Sequence, residues 1–133
     1  MLLFGYHGKL LKLAAGIFHT HHYLADGRLE TLVSAAARMG LAVGKLSGLF
    51  ECETAEDVLK YLRAIDGQEG TNWVEQIYGY LTDRIDARSE SYIYSQTQTR
   101  VNVGCVLFDR QRQIIKSSPT GGTFLTELCC GNA

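Results

Sequence analysis

The opening stretch Met1-Leu2-Leu3-Phe4-Gly5-Tyr6-His7-Gly8-Lys9-Leu10-Leu11-Lys12-Leu13-Ala14-Ala15-Gly16-Ile17-Phe18 decides the fold class. Met1 to Phe4 is an unbroken apolar run that meets glycine at once, the pattern of a strand buried on both faces, as in a parallel sheet. Such a strand needs neighbours on both sides, and the remainder of the chain offers few. The run therefore implies a missing N-terminal neighbour, or pairing with a second copy of the chain in a homo-oligomer. Gly5 to Lys9 reads as a glycine-bounded loop. A helix is expected from about Lys9 to Phe18, with Leu10, Leu13, Ala14 and Ile17 on one face and Lys9 and Lys12 on another. Strand, loop and helix in that order make an α/β unit.

Further along, the pattern is mainly helical. His19-Thr20-His21-His22 breaks the first helix and reads as a turn. Asp26 is a natural N-cap for a second helix with Leu29, Leu32, Val33, Ala36 and Met39 inward and Gly40 at its end. Val43 to Phe50 forms a short helix with Leu46, Leu49 and Phe50 on one face. Thr54 opens a third long helix with Asp57 as partner and Val58, Leu59, Leu62 and Ile65 inward, ending at Asp66-Gly67. Asn72 and Glu75 make a capping box for a fourth, carrying Val74, Ile77, Tyr78, Leu81 and Ile85, which should fray near Ser89 to Ser91. Val101 to Leu107 alternates like a strand, Asp109 to Arg112 reads as a turn, and Gln113 to Lys116 as the returning strand. From Ser117 the chain turns rich in Gly, Thr and Ser and is expected to be loose. The predicted architecture is a helix-rich α/β domain over 1–116, with one strand-loop-helix unit, further helices and a C-terminal β-hairpin, followed by a flexible tail over 117–133.

Composition narrows the function classes. The 133 residues are 46% hydrophobic and 20% charged, enough for one core. Thirteen Lys and Arg against fourteen Asp and Glu give a net charge of -1, which offers nothing to a nucleic acid. No apolar stretch is long enough to span a bilayer, so no membrane partner is expected. The four cysteines, Cys52, Cys105, Cys129 and Cys130, form no CxxC pair and lack ligand spacing, and there is no secretory signal. They read as reduced thiols of a cytoplasmic protein.

Two segments carry candidate chemistry. Gly5-x-x-Gly8-Lys9 lies between strand and helix, where α/β folds place ligands on free backbone N–H groups. It is neither a nucleotide P-loop, since Leu10 stands where a magnesium-binding hydroxyl belongs, nor a dinucleotide GxGxxG. A tight turn with glycines at positive φ is the plainer alternative. His19, His21 and His22, with His7, have no zinc-like register and read as turn histidines. Asp26 and Arg28 are an N-cap and a surface arginine, or with Thr20 and His21 a polar cluster facing the same cleft as Gly5 to Lys9. Asp83, Arg84, Asp86, Arg88 and Glu90 read as a solvated helix face.

The stretch from Phe4 to His21, continued through Ala25-Asp26-Gly27-Arg28-Leu29-Glu30, resembles the signature of the cobalt-precorrin-5B C1-methyltransferases, the CbiD family. There a strand leads into a G-H-x-G-K type loop, then a K-L-A-A-G helix, a T-H turn and an A-D-x-R-x-E helix start. Thr54-Ala55-Glu56 and Val106-Leu107-Phe108-Asp109-Arg110 also resemble family members, and Phe4 to His22 looks most like cyanobacterial ones. Tyr6 departs from the family, which commonly has histidine there. Family members are much longer, with a whole N-terminal part before the matching region.

The resemblance implies the C-terminal part of a larger α/β enzyme of anaerobic cobalamin biosynthesis. In the family's reaction a methyl group passes from S-adenosylmethionine to C1 of a cobalt-corrin precursor, and the ring carbon is the nucleophile. Cobalt arrives with the substrate, so no protein metal ligands are implied. Cofactor or substrate contacts are implied at Gly5, His7, Gly8, Lys9, Lys12, Thr20, His21, Asp26 and Arg28. Of these, Lys9, Lys12 and Arg28 suit the substrate's carboxylates, and Asp26 suits cofactor hydroxyls or the orientation of His21. The other partner implied is the N-terminal part of the same enzyme. A non-catalytic scaffold and an anion-binding α/β module are the alternatives.

Overall fold

The computed structural model describes residues 1–18 and 27–130. The elements run β1 (Leu2–Tyr6), α1 (His7–Ala14), α2 (Arg28–Arg38), α3 (Val43–Phe50), α4 (Ala55–Glu69), α5 (Trp73–Thr97), β2 (Gly104–Phe108), β3 (Ile114–Ser117) and α6 (Pro119–Cys130). The helix-rich α/β expectation holds. A three-stranded sheet of order β1-β2-β3 pairs β1 parallel to β2, Leu2 opposite Gly104, and β2 antiparallel to β3.

β1 and β2 are parallel because the chain between them makes a long helical crossover. Cys105 and Leu107 face that crossover and join its core, with Leu11, Leu32, Leu59, Leu62, Ile77, Tyr78, Leu81 and Ile85. The apolar run expected of a doubly buried strand belongs to β2, whose residues 104–107 are all buried. The alternation expected from Val101 fails for that reason, and the strand begins only at Gly104. β1 is half-buried, with Phe4 exposed, and among the described residues it is an edge strand, paired on one side only.

Several helix ends differ from the spacing-based expectation. His7 begins α1 directly after the strand, without a loop, and α1 stops at Ala14 because Gly16 takes φ +81° just beyond it. Its buried positions are His7, Gly8, Leu11 and Ala14, a face shifted from the one expected. Gly27, at φ +73°, is the N-cap of α2, while the expected cap Asp26 and the turn His19 to His22 lie outside the described residues. Phe50 is exposed although Leu49 beside it is fully buried. Thr54 caps α4, accepting from Asp57 N–H at 3.1 Å as expected. Gly67 does not end that helix. Gly70 does, in the left-handed region.

Asp66 does something the sequence pattern hides. Its carboxylate accepts from Thr71 Oγ1 and from the Trp73 and Val74 N–H groups at 2.6, 2.7 and 3.1 Å, capping α5 in place of the Asn72–Glu75 box. Glu75 pairs instead with Lys116 on β3. α5 continues to Thr97 without fraying at Ser89 to Ser91. Ser89 is buried, and the Glu90 carboxylate accepts from Val103 N–H at 2.9 Å.

The expected loose tail is helix α6, which lies across the second face of the sheet. Ser118 is its N-cap, accepting from Gly121 N–H at 3.0 Å, and Pro119 occupies the first helical position. The same hydroxyl oxygen accepts from Cys105 N–H at 3.1 Å, tying helix to strand. Backbones touch here: a Cβ on Gly121 would lie 2.1 Å from Cys105 O, and one on Gly104 would lie 2.3 Å from Gly121 N.

Ser118→Ala removes a cap and strands a buried N–H, so a loss of about 1–3 kcal/mol is expected in urea unfolding. Gly121→Ala should cost more than Gly67→Ala in the same assay, because a methyl group on Gly67 would meet nothing within 4 Å.

Candidate functional site

The junction of β1 and α1 is closed. Gly5 and Gly8 are not at positive φ, so the positive-φ turn does not form. A Cβ on Gly8 would lie 2.6 Å from the Tyr6 ring, and one on Gly5 would lie 3.0 Å from Leu10 Cδ1. Glycine serves here to let the Tyr6 and Leu10 side chains pack onto the backbone.

His7 is fully buried between two partners. Its Nδ1 is 2.8 Å from Tyr78 Oη on α5, and its Nε2 is 3.0 Å from Glu56 Oε2 on α4. Tyr6 Oη donates to the same carboxylate at 3.3 Å. Burial lowers the imidazole pKa below the usual histidine value, although Glu56 pulls it upward. Burial also pushes the Tyr78 phenol up. A neutral ring therefore donates from Nε2–H to Glu56 and accepts at Nδ1 from Tyr78 O–H, which leaves His7 no group for a ligand. Nearby, Arg63 Nη2 donates to Asp109 Oδ2 at 3.2 Å, and Asp109 also accepts from Gln111 and Gln113 N–H, each at 2.9 Å. The Arg63 bond pins the β2–β3 turn to α4.

The open chemistry lies at the other end of α1. A groove of about 320 Å³ runs between the end of α1 (Ala14, Ala15), the first turns of α2 (Glu30, Thr31, Ser34) and α5 (Tyr80, Arg84, Arg88). Arg88 lies against Gly16, where a Cβ would meet its Nη1 at 2.9 Å. Its charge thus sits by the carbonyl end of α1, a favourable place for a cation. The Arg38 guanidinium stands 5.8 Å from the centre of the Tyr80 ring. Lys12, half-buried, precedes Ala15 by three residues and Arg28 precedes Thr31 by the same step, so each is one helical turn from a lining residue, while Lys9, exposed, lies a further turn back toward His7.

Ile17 meets Gly27, where a Cβ would lie 2.8 Å from Ile17 Cδ1, so the two flanks of 19–26 touch each other. Thr20, His21 and Asp26 themselves lie outside the described residues. Of the implied contacts, Lys12 and Arg28 stand one turn from the groove's lining, Lys9 and the half-buried Gly5 lie toward the strand–helix junction, and His7 and Gly8 are buried there. Arg84 and Arg88 are groove residues that sequence reasoning passes over. An alternating charge run suggests a solvated face, although a four-residue step on one helix also fits two cations aimed at one ligand. Asp86 and Glu90 of the same run turn toward β2, which refutes the single-face reading.

The family model of the CbiD C-terminal domain matches residues 19–119. The chain belongs to the CbiD C-terminal domain family. It is 56% identical over 127 residues to a cobalt-precorrin-5B C(1)-methyltransferase of Cyanothece sp., covering 96% of this chain and 33% of that protein. Proteins of the same name from Trichormus variabilis and Synechocystis sp. are 46% and 45% identical, over 97% and 96% of this chain and 36% and 34% of theirs. The chain spans about a third of the length of the curated relatives it matches. No solved structure matches it. Among the described residues, no helix is long and apolar enough to cross a membrane, and no group of three or more His, Cys, Asp or Glu side chains could hold a metal ion.

Tyr78→Phe leaves His7 Nδ1 buried without a donor and should cost about 1–3 kcal/mol, whereas Tyr6→Phe, which loses only a long bond, should cost less. A histidine lowered in the fold takes its proton more readily when unfolded. Stability should therefore fall as pH drops below the unfolded value of about 6.5. Urea titrations between pH 7 and 5 should show this decline, and it should be weaker in His7→Gln.

Proposed function

We propose that this domain forms the corrin-holding part of a cobalt-precorrin-5B C1-methyltransferase that uses S-adenosylmethionine as methyl donor. The observation that carries the reading is the groove. Arg84 and Arg88 line one cleft with Glu30, and Lys12 and Arg28 each stand one helical turn from a lining residue, in a chain whose net charge is only -1. A corrin precursor carries acetate and propionate carboxylates around its rim, and cations spaced along a groove can grip several at once. Arginine does so with two parallel bonds. Thr31 and Ser34 add hydroxyl partners on the same wall.

These residues bind and orient; none need act as nucleophile. Holding the ring rigidly while a second reactant is presented supplies much of what such a transfer requires. At the β1–α1 junction Tyr6 and Leu10 pack on the two glycines, and the groove carries two arginines against one carboxylate, Glu30, which suits anionic groups better than a sulfonium. The donor's contacts are proposed for the 19–26 segment, with Thr20, His21 and Asp26, and for the N-terminal part that the relatives carry. The cytoplasm is the proposed location.

In a full-length chimera joining the N-terminal two-thirds of the Cyanothece relative to this chain, Arg84→Ala with Arg88→Ala should raise KM for the corrin substrate. About 10- to 100-fold is expected, the worth of one or two charge-assisted bonds, with kcat much less affected. An unchanged KM in a folded chimera would overturn the assignment.

A further inference from the structure

The open edge of β1 is flanked by apolar surface on both sides. Gly104 N–H bonds to Met1 O at 2.9 Å, which sets the parallel ladder. In that ladder Leu3 and Gly5 exchange bonds with β2, so the N–H and C=O groups of Leu2 and Phe4 point away from it. No strand covers this edge among the described residues.

On the helical side, Met1 and Leu3 border an apolar groove of about 180 Å³ with Leu13, Phe18, Tyr92 and Ile93. Ser89 lines the same groove, 3% exposed, and its hydroxyl has no hydrogen-bond partner among the described residues. On the opposite side, Phe4 is 53% exposed and packs on Phe108 at 5.3 Å between ring centres. The register continues that face through Phe108 to Ile114, 51% exposed.

We propose that β1 accepts a further β-strand from the N-terminal part of the CbiD protein. That strand would drop alternate side chains into the Met1–Ile93 groove on one face and against Phe4 on the other. Ground that is apolar on both faces calls for a strand that is apolar at successive positions, like β2, and β1 then becomes a central strand. The occupant follows from the relatives. They are about three times as long as this chain, and the matching region is their C-terminal domain. Their remaining chain therefore enters at the β1 end of the domain. The proposal rests on the family assignment and not on the corrin reading.

The test uses amide exchange by NMR on the labelled 133-residue chain, with and without the separately produced N-terminal two-thirds of the Cyanothece relative. In the free chain the Phe4 N–H should exchange fast while Leu3 and Gly5 are protected. On binding, Leu2 and Phe4 should slow at least 10-fold. Phe4→Pro removes only the outward N–H and should weaken binding at least 10-fold, while Phe4→Leu should bind normally, both with unchanged urea midpoints. A Phe4 N–H already protected in the free monomer overturns the proposal. So does binding without slowing at Leu2 and Phe4, or no binding by the folded chain. Concentration-dependent slowing without the relative's fragment would assign the edge to a second copy and overturn the stated occupant. Tight strand addition without methyl transfer by the reconstituted pair would count against the proposed function only.

Discussion

One buried imidazole fastens the first strand to the helical layer. His7 is the residue at which β1 becomes α1, and its two ring nitrogens reach α4 through Glu56 and α5 through Tyr78. Three elements distant in sequence are thereby held at fixed distances by groups that have no water to turn to. Burial favours a neutral ring and a protonated Tyr78, the pairing in which each ring nitrogen has a partner. From this knot α1 is aimed across α5, so its far end meets α2 over Arg84 and Arg88. The groove is a consequence of the knot, at the opposite end of α1 from His7.

α5 is the spine of the domain, and its sequence conceals this. Over 25 residues it presents Ile77, Tyr78, Leu81 and Ile85 to the core, Arg84 and Arg88 to the groove, and Asp86 and Glu90 to the sheet side. A helix with three different neighbours has no single apolar stripe, so periodicity finds its existence and misreads its charges. A fourth contact, at Tyr92 and Ile93, runs beside the open edge of β1.

Much of the framework is legible in the residues. The α/β class, the α3 boundaries, the Thr54 cap and the β2–β3 turn all follow from local spacing and turn chemistry. The family follows from the first thirty residues. What escapes is long-range. Asp66 caps a helix that starts seven residues later, and only the folded chain shows it displacing Asn72. The Gly5 to Gly8 spacing suggests a ligand loop, yet the glycines are there for Tyr6 and Leu10 to pack on. α6 does carry a local signal: Ser118-Pro119 is a helix start, obscured by the Gly and Thr that follow. Close contact between Gly104 and Gly121 explains those small residues, and no local pattern announces it.

The central claim is that His7 is a neutral structural tie and not a ligand-binding histidine. The direct measurement is the ¹⁵N chemical shift of its two ring nitrogens followed from about pH 8 to 5, across the usual histidine range. The account predicts a single tautomer protonated at Nε2, with a ring that does not titrate near the ordinary value of about 6.5 while the fold persists. An imidazole that titrates at that ordinary value, with its proton shared between the two nitrogens, would contradict it and reopen the strand–helix junction as the site.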